Sequence, residues 1–203
     1  MRRRTMLLCL PLLSGKVLAG ALAEDVRTVL SALARERTLT AHFRMERTVA
    51  GLAKPFVSTG RVTVIEGLGL VWRTITPIED VLAYGRTKAA RTDDDGKINI
   101  STSKHSHIIE EQMSAMLSGD TAELDRRFFA DARIGTDGSW VLVLTPKIEF
   151  LANFMRECQV KGGRNISEAS FYQPDGSILR IYFSGHSSDS VNTEDRSLLE
   201  RLS

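Results

Sequence analysis

Ser58–Pro77 reads STGRVTVIEGLGLVWRTITP: an alternating run, a turn carrying Gly67 and Gly69, a second run with Trp72 near its end, and a proline stop. β-Branched residues in period-two alternation suit a pleated, half-buried surface, and glycine supplies the positive φ that a tight turn needs. Polarity sets the register. With an odd number of residues in the turn, Val62 and Val64 share a face with Leu70 and Trp72, while Arg61, Thr63 and Arg73 share the other. An even turn sets Arg61 beside Trp72 and Arg73 beside Val62, mixing the faces. A one-residue slip turns a whole strand over, so the odd turn is predicted, and with it one strongly apolar sheet face.

Upstream, Thr38–Val49 alternates Leu39, Ala41, Phe43 and Met45 with Thr40, His42, Arg44 and Glu46, a half-buried strand. Before it, Val26, Val29, Leu30 and Leu33 recur at helical spacing behind Glu24 and Asp25, predicting an amphipathic helix over Glu24–Arg37. Downstream, strands are expected at Asp80–Tyr84, Thr87–Thr92, Lys97–Thr102, Phe128–Ile134, Ser139–Thr145, Ile166–Tyr172 and Ser177–Gly185. Asp95-Gly96, Asp137-Gly138 and Asp175-Gly176 mark turns between them. The pattern is that of one large antiparallel sheet in an α+β, mainly β fold.

One helical stretch interrupts the strands. Ile109, Met113, Met116 and Leu117 sit at i, i+4, i+7 and i+8, Gly119 ends their helix, and Asp120 with Glu123 can cap a second. Ile148–Met155 predicts a short helical turn with Phe150 and Phe154 four apart. After Gly185 the run Ser187–Asp195 reads as a polar tail with a weak terminal helix.

The chain opens with Arg2-Arg3-Arg4, the apolar run Met6–Leu13 and the small-residue sequence Ala21-Leu22-Ala23, the layout of a secretory signal peptide cleaved after Ala23. Met6–Leu13 is far short of the roughly 20 apolar residues that span a bilayer. Residues 1–23 hold four of the 27 basic residues and no acidic one, so residues 24–203 carry 23 basic against 25 acidic residues, a formal charge of −2. That balance argues against nucleic acid, whose binding draws on a basic patch. Cys158 alone remains beyond Cys9, so no disulfide framework is expected. Residues 24–203 are expected to form a single domain stabilised by packing, without a cofactor and as a monomer.

Candidate chemistry is sparse. His105, His107, Glu110 and Glu111 lack a third convergent ligand at metal spacing. Asp93-Asp94-Asp95-Gly96 lacks the closing glutamate of a calcium loop and reads as a turn. Ser184 and His186 flank Gly185 with no G-x-S-x-G elbow, and Cys158 has no evident activating base. No metal site and no catalytic residue is predicted, although a hydrolase using His105 or His186 stays open. The apolar set is the stronger signal. It suits a filled core, or a cavity in which flexible, polarizable methionines repack around a ligand.

In order and spacing these features resemble the LolA-type periplasmic lipoprotein carriers and their LolA-like relatives. The match comprises the export signal, the first helix, the strand from Phe43 to Val49, Ser58-x-Gly60 leading to Trp72 and Pro77, Val143-Leu144-Thr145-Pro146-Lys147, and the hairpin from Ile166–Phe171 to Asp175-Gly176. The resemblance implies a half-open antiparallel β-barrel lidded by helices, enclosing an apolar cavity for acyl chains. Phe43, Met45, Val62, Val64, Leu70, Trp72, Leu142 and Leu144 are its expected lining, and Ile109, Met113, Met116 and Leu117 its lid. The implied activity is carriage, without catalysis, of a lipoprotein or glycolipid from an inner-membrane donor to an outer-membrane acceptor. A sensor domain binding lipidated partners is the alternative. Glu66-Gly67 stands where lipoprotein carriers have a basic residue followed by proline, so a different lipid fits equally well.

Overall fold

β-Patterned runs joined mostly by three to five turn residues favour pairing between neighbours in sequence, and most strands pair that way. In a computed structural model, which describes residues 24–33, 38–93, 95–101, 121–188 and 191–203, the elements are α1 (Glu24–Leu33), β1 (Thr38–Thr48), β2 (Phe56–Ile65), β3 (Gly69–Thr76), β4 (Asp80–Tyr84), β5 (Ala89–Thr92), β6 (Ile98–Ser101), α2 (Thr121–Arg127), β7 (Phe128–Ile134), β8 (Trp140–Pro146), α3 (Glu149–Ala152), β9 (Glu157–Gly162), β10 (Ile166–Tyr172), β11 (Ile178–Ser187) and α4 (Thr193–Leu202). The strands form one antiparallel sheet in the order β6-β5-β4-β3-β2-β1-β11-β10-β9-β8-β7. It is curved and unclosed, with β6 and β7 as its edges, the mainly β architecture expected from the sequence.

The hairpin has the predicted register. Val62 pairs with Trp72, Val64 with Leu70 and Arg61 with Arg73 around the odd turn Glu66-Gly67-Leu68. Gly67 takes φ +72° and Gly69 φ +138°. The apolar face joins Ala41 and Phe43 of β1, Leu82 and Tyr84 of β4, Leu142 and Leu144 of β8, and Phe171 and Ile181 of β10 and β11 in one buried cluster. That a single cluster draws on both halves of the sheet reflects its curvature. Val26, Val29 and Leu30 of α1 and Leu124 of α2 belong to the same cluster, so these helices cover part of the concave side.

Phe43 reaches Trp72 across β2 only because residue 60 is glycine. A Cβ there would lie 2.0 Å from the Arg73 carbonyl oxygen and 2.8 Å from the Phe43 ring. The Phe43 and Trp72 rings stack at 4.2 Å, and Phe183 meets Trp72 edge-on at 6.2 Å.

Two parts of the architecture depart from the sequence reading. Glu157–Gly162, not expected as a strand, is β9, with Cys158 and Val160 buried between Glu157, Gln159 and Lys161. The terminal helix expected beyond Ser187 is present as α4, but the polar-tail reading of Ser187–Asp195 is corrected, because the helix is capped and packed. Asn192 caps α4 by accepting a hydrogen bond from the Glu194 N–H, and Leu198, Leu199 and Leu202 pack with Ile65, Val71, Val81, Ala83 and Ala90 into a second cluster on the outer face. Gly85 admits the end of α4, since a Cβ there would sit 2.3 Å from Leu202 Cβ. The Thr87 and Lys88 N–H groups each donate to the Leu202 carbonyl at 3.2 Å.

Lid residues Ile109, Met113, Met116 and Leu117, the pair His105 and His107, and the leader through Ala23 lie outside the described residues.

Candidate functional site

Strand parity places the site. Along β1 the side chains of Ala41, Phe43, Met45 and Arg47 stand on the concave face. Ala41 and Phe43 are buried, Met45 half-buried and Arg47 exposed, so the face opens toward one end of the sheet. The register brings matching residues alongside. Met45 pairs with Ser58 and Ile181, and Arg47 with Phe56 and Leu179.

These residues line a cavity of about 320 Å³. Met45, Phe56, Val57, Pro77 and Leu179 supply apolar walls, and Arg47, Ser58 and Gln173 supply the polar groups. One residue pair further inward on β1 comes the Phe43–Trp72–Phe183 aromatic group. The volume lies at the lower end of the 300–1,000 Å³ typical of small-molecule sites, and an apolar wall with a few convergent polar groups is their usual chemistry.

Around the mouth the connections are unusually apolar. Leu52, Phe56, Val57, Ile75 and Ile78 are all exposed, Ile78 by 77% and Phe56 by 62%. From the β1–β2 connection into the start of β2, Val49–Val57 reads VAGLAKPFV, with one lysine and no acid. At the same end, Phe150 of α3 and Phe154 in the turn after it are exposed, their rings edge-to-face at 5.3 Å. Isolated exposed apolar residues are ordinary; here they are concentrated at one end of the sheet.

The electrostatics of the cavity are one-sided. Among the described residues Arg47 is its only charged lining residue. Asp175 feels that charge, yet its carboxylate is held below the usual carboxylate range first by the backbone N–H and then by the hydroxyl of Ser177, with Ser177 N at 2.8 Å from Asp175 Oδ1. The Gln173 backbone closes the same turn, its N–H donating to Ser177 O at 2.9 Å. Its side-chain Oε1 is buried with no hydrogen-bond partner, a deficit worth about 1–3 kcal/mol.

Of the eight residues expected to line a cavity, the structure brings Phe43, Val62, Val64, Leu70, Trp72, Leu142 and Leu144 together in the concave cluster, each 6% exposed or less. Met45 alone among them lines the cavity just described. Sequence reasoning missed Phe56, Val57, Leu179 and Gln173. Parity from Met45 could have found Phe56 and Leu179; the inward turn of Gln173 left no local signal.

The remaining chemical candidates fall elsewhere. Ser184 and His186 lie near the opposite end of β11 from Leu179, around a register irregularity where Gly185 takes φ +61°. The Cys158 thiol is fully buried, and desolvation, aided by the Glu157 charge, pushes its pKa far above the range in which a thiolate forms. Asp93 serves as turn glue, accepting from the Asp95 and Lys97 N–H groups at 3.0 and 2.8 Å and from Asn99 at 2.6 Å. No grouping of three or more His, Cys, Asp or Glu suited to a metal occurs among the described residues.

No protein-family model and no curated sequence matches the chain. Similar solved structures include a LolA superfamily protein from Nitrosomonas europaea, at 10% identity and TM-score 0.46, covering 85% of this chain and 97% of that one. A chain of the Pseudomonas aeruginosa MucA/MucB complex matches at 13% identity and TM-score 0.46 over 85% of this chain and 60% of that one. LprF from Mycobacterium bovis matches at 10% identity and TM-score 0.39 over 85% and 97%.

Proposed function

We propose that this protein is a periplasmic binding protein that shields the acyl chain of a lipid or lipoprotein during transfer between membranes, without catalysis. The supporting observation is the cavity at the open end of the sheet, walled by Met45, Phe56, Val57 and Leu179 and rimmed by exposed apolar residues. At ~0.8 kcal/mol per methylene, exposing a chain of a dozen carbons to water costs on the order of 10 kcal/mol. A protein wall that replaces the bilayer must offset most of that cost yet still release its load. An open mouth with an apolar rim suits both steps, because the chain leaves one apolar surface for another without crossing bulk water. The expected lid, Ile109, Met113, Met116 and Leu117, would complete the enclosure. The sequence layout of residues 1–23 supports export, and the LolA-type motif order supports lipid cargo.

Mass spectrometry of lipid extracted from the protein purified from a periplasmic fraction tests this reading. The expected result is a bound acyl species in a stoichiometry near one. Repeated recovery of lipid-free protein that also fails to take up any added amphiphile would overturn it.

A further inference from the structure

Resting on the acyl-binding reading above, we propose that the open end of the sheet docks on a phospholipid bilayer by inserting its exposed apolar side chains, so that the cavity mouth meets lipid directly. Strand direction gathers the surface. β1, β3, β8 and β10 end there and β2, β4, β9 and β11 begin there, so the connections between them share one end. Those connections and the strand ends beside them carry Leu52, Ile75, Ile78, Phe150 and Phe154, each at least 41% exposed. None of the five lines the cavity. They come from three separate connections, β1–β2, β3–β4 and β8–β9. Tips so distributed do not make the single groove or free strand edge that a partner helix or strand needs, the sheet's edges being β6 and β7. A bilayer asks for neither, because it takes up apolar side chains that project from one end, whatever element bears them.

Charge decides the manner of docking. Residues 47–57, 75–79, 147–156 and 173–177 hold Arg47, Lys54, Lys147 and Arg156 against Glu79, Glu149 and Asp175, a near balance. The acidic turn Asp93–Lys97 follows β5, three strands beyond β2. Insertion, and not attraction to anionic headgroups, is therefore the binding force. The long stems of arginine and lysine let their charges stay among the headgroups while the apolar tips go deeper. The backbone is prepared for that depth. Leu52 N–H donates to Val49 O at 3.1 Å and Phe154 N–H to Leu151 O at 3.0 Å, so neither group enters lipid unpaired. Continuity with the cavity selects lipid as the occupant: an acyl cargo resides in a bilayer, and docking at the mouth spares the chain its passage through water.

The experiment separates docking from uptake. Protein purified from a periplasmic fraction and stripped of lipid is cosedimented with protein-free phosphatidylcholine vesicles, with and without phosphatidylglycerol. Uptake of a soluble probe, palmitate below its micelle threshold, is measured in parallel. The wild type is expected to bind both kinds of vesicle about equally and to stay bound as salt is raised. Ile78→Glu and Phe150→Glu, neither of which alters a cavity-lining residue, should each weaken vesicle partitioning about tenfold or more, the worth of one large apolar side chain withdrawn from lipid. Their palmitate uptake should match the wild type. Partitioning unchanged in both variants, or dependent on phosphatidylglycerol and lost in salt, overturns docking by insertion. So does a wild type that takes up palmitate but fails to bind protein-free vesicles. Binding confined to native membrane vesicles then gives this end to a membrane protein, and a dimer dissolved by Ile78→Glu gives it to a second copy. Vesicle binding without palmitate uptake overturns the acyl-binding reading and leaves the docking surface standing.

Discussion

The Asp195 carboxylate accepts a 2.9 Å hydrogen bond from Arg73 Nη2, although 122 positions separate the two residues. Its other oxygen accepts a 2.8 Å hydrogen bond from Thr63 Oγ1 and lies 3.6 Å from Arg61 Nη2. Arg61 and Arg73 are cross-strand partners on β2 and β3, and like charges directly opposite repel. Asp195, 1% exposed, bridges the two from the first turn of α4, and Glu194 adds a second carboxylate 3.8 Å from Arg73 Nη2. The helix is therefore fastened to the outer face of the same hairpin whose inner face carries Val62, Val64, Leu70 and Trp72.

Asp195→Ala should be among the most damaging single changes on the outer face. Removing one partner of a buried ion cluster leaves the two arginines opposed and costs about 3 kcal/mol. The expected result is a lowered midpoint in urea unfolding and faster amide exchange across Leu198–Leu202. Amide exchange in α4 unchanged from the wild type would refute the fastening role.

At the inner face, Gly60→Ala should cost about 1–3 kcal/mol by overpacking. The new methyl would meet the Arg73 carbonyl oxygen and the Phe43 ring, so β2 or the Phe43–Trp72 stack must shift. Near-ultraviolet circular dichroism from the stacked rings should change along with stability. A variant with wild-type stability and an intact aromatic signal would contradict the close approach.

Binding and stability should separate along the concave face. Trp72→Ala is expected to lose about 3–5 kcal/mol as a buried aromatic, whatever it does to ligand uptake. Met45→Glu and Phe56→Glu, at the open cavity, should abolish acyl binding while moving the unfolding midpoint far less. Probe titration beside denaturant unfolding makes the comparison. Equal losses of binding and stability at Met45 and Phe56 would make this end of the sheet ordinary core.

Acid should loosen the outer face around Glu168. Burial opposes its charge, but hydrogen bonds from Ser170 and Lys161, with the charges of Lys161 and Arg180, hold its pKa below the ordinary 4.5. A folded pKa below the unfolded value means the contribution is fully present above about 4.5 and fades as pH falls through the lowered value. Glu168→Gln should therefore flatten the fall in stability between about pH 5 and pH 3. A profile identical to the wild type would show that the Ser170–Lys161–Arg180 contacts carry no net stabilisation.

Much of the sheet was legible because its signals are local. Asp80–Tyr84, Phe128–Ile134 and Ile166–Tyr172 emerge with the bounds read from alternation and turn residues, and the odd turn at Glu66–Leu68 followed from keeping Arg61 and Arg73 off the apolar face. β9 escaped because six residues with only Cys158 and Val160 apolar give too short a period to stand out. α4 was expected as a weak terminal helix, but its burial was not legible. Its buried stripe is Leu198, Leu199 and Leu202 alone, and its key polar residue, Asp195, looks solvated until two arginines from distant strands arrive.

Sequence by itself determined the strands, their turns and which residues share a face, because side-chain parity and turn chemistry act over a few residues. It also determined the apolar character of Ser58–Pro77 and the charge of the chain. Only the tertiary structure decided that β1 pairs with β11 at the centre of the sheet, since nothing local ties residues 38–48 to residues 178–187. It also decided that Val62, Val64, Leu70 and Trp72 pack as core while the open cavity falls to Met45, Phe56 and Leu179. Parity assigns a residue to a face, but how deep it lies on that face depends on the sheet's curvature and on which helices cover it.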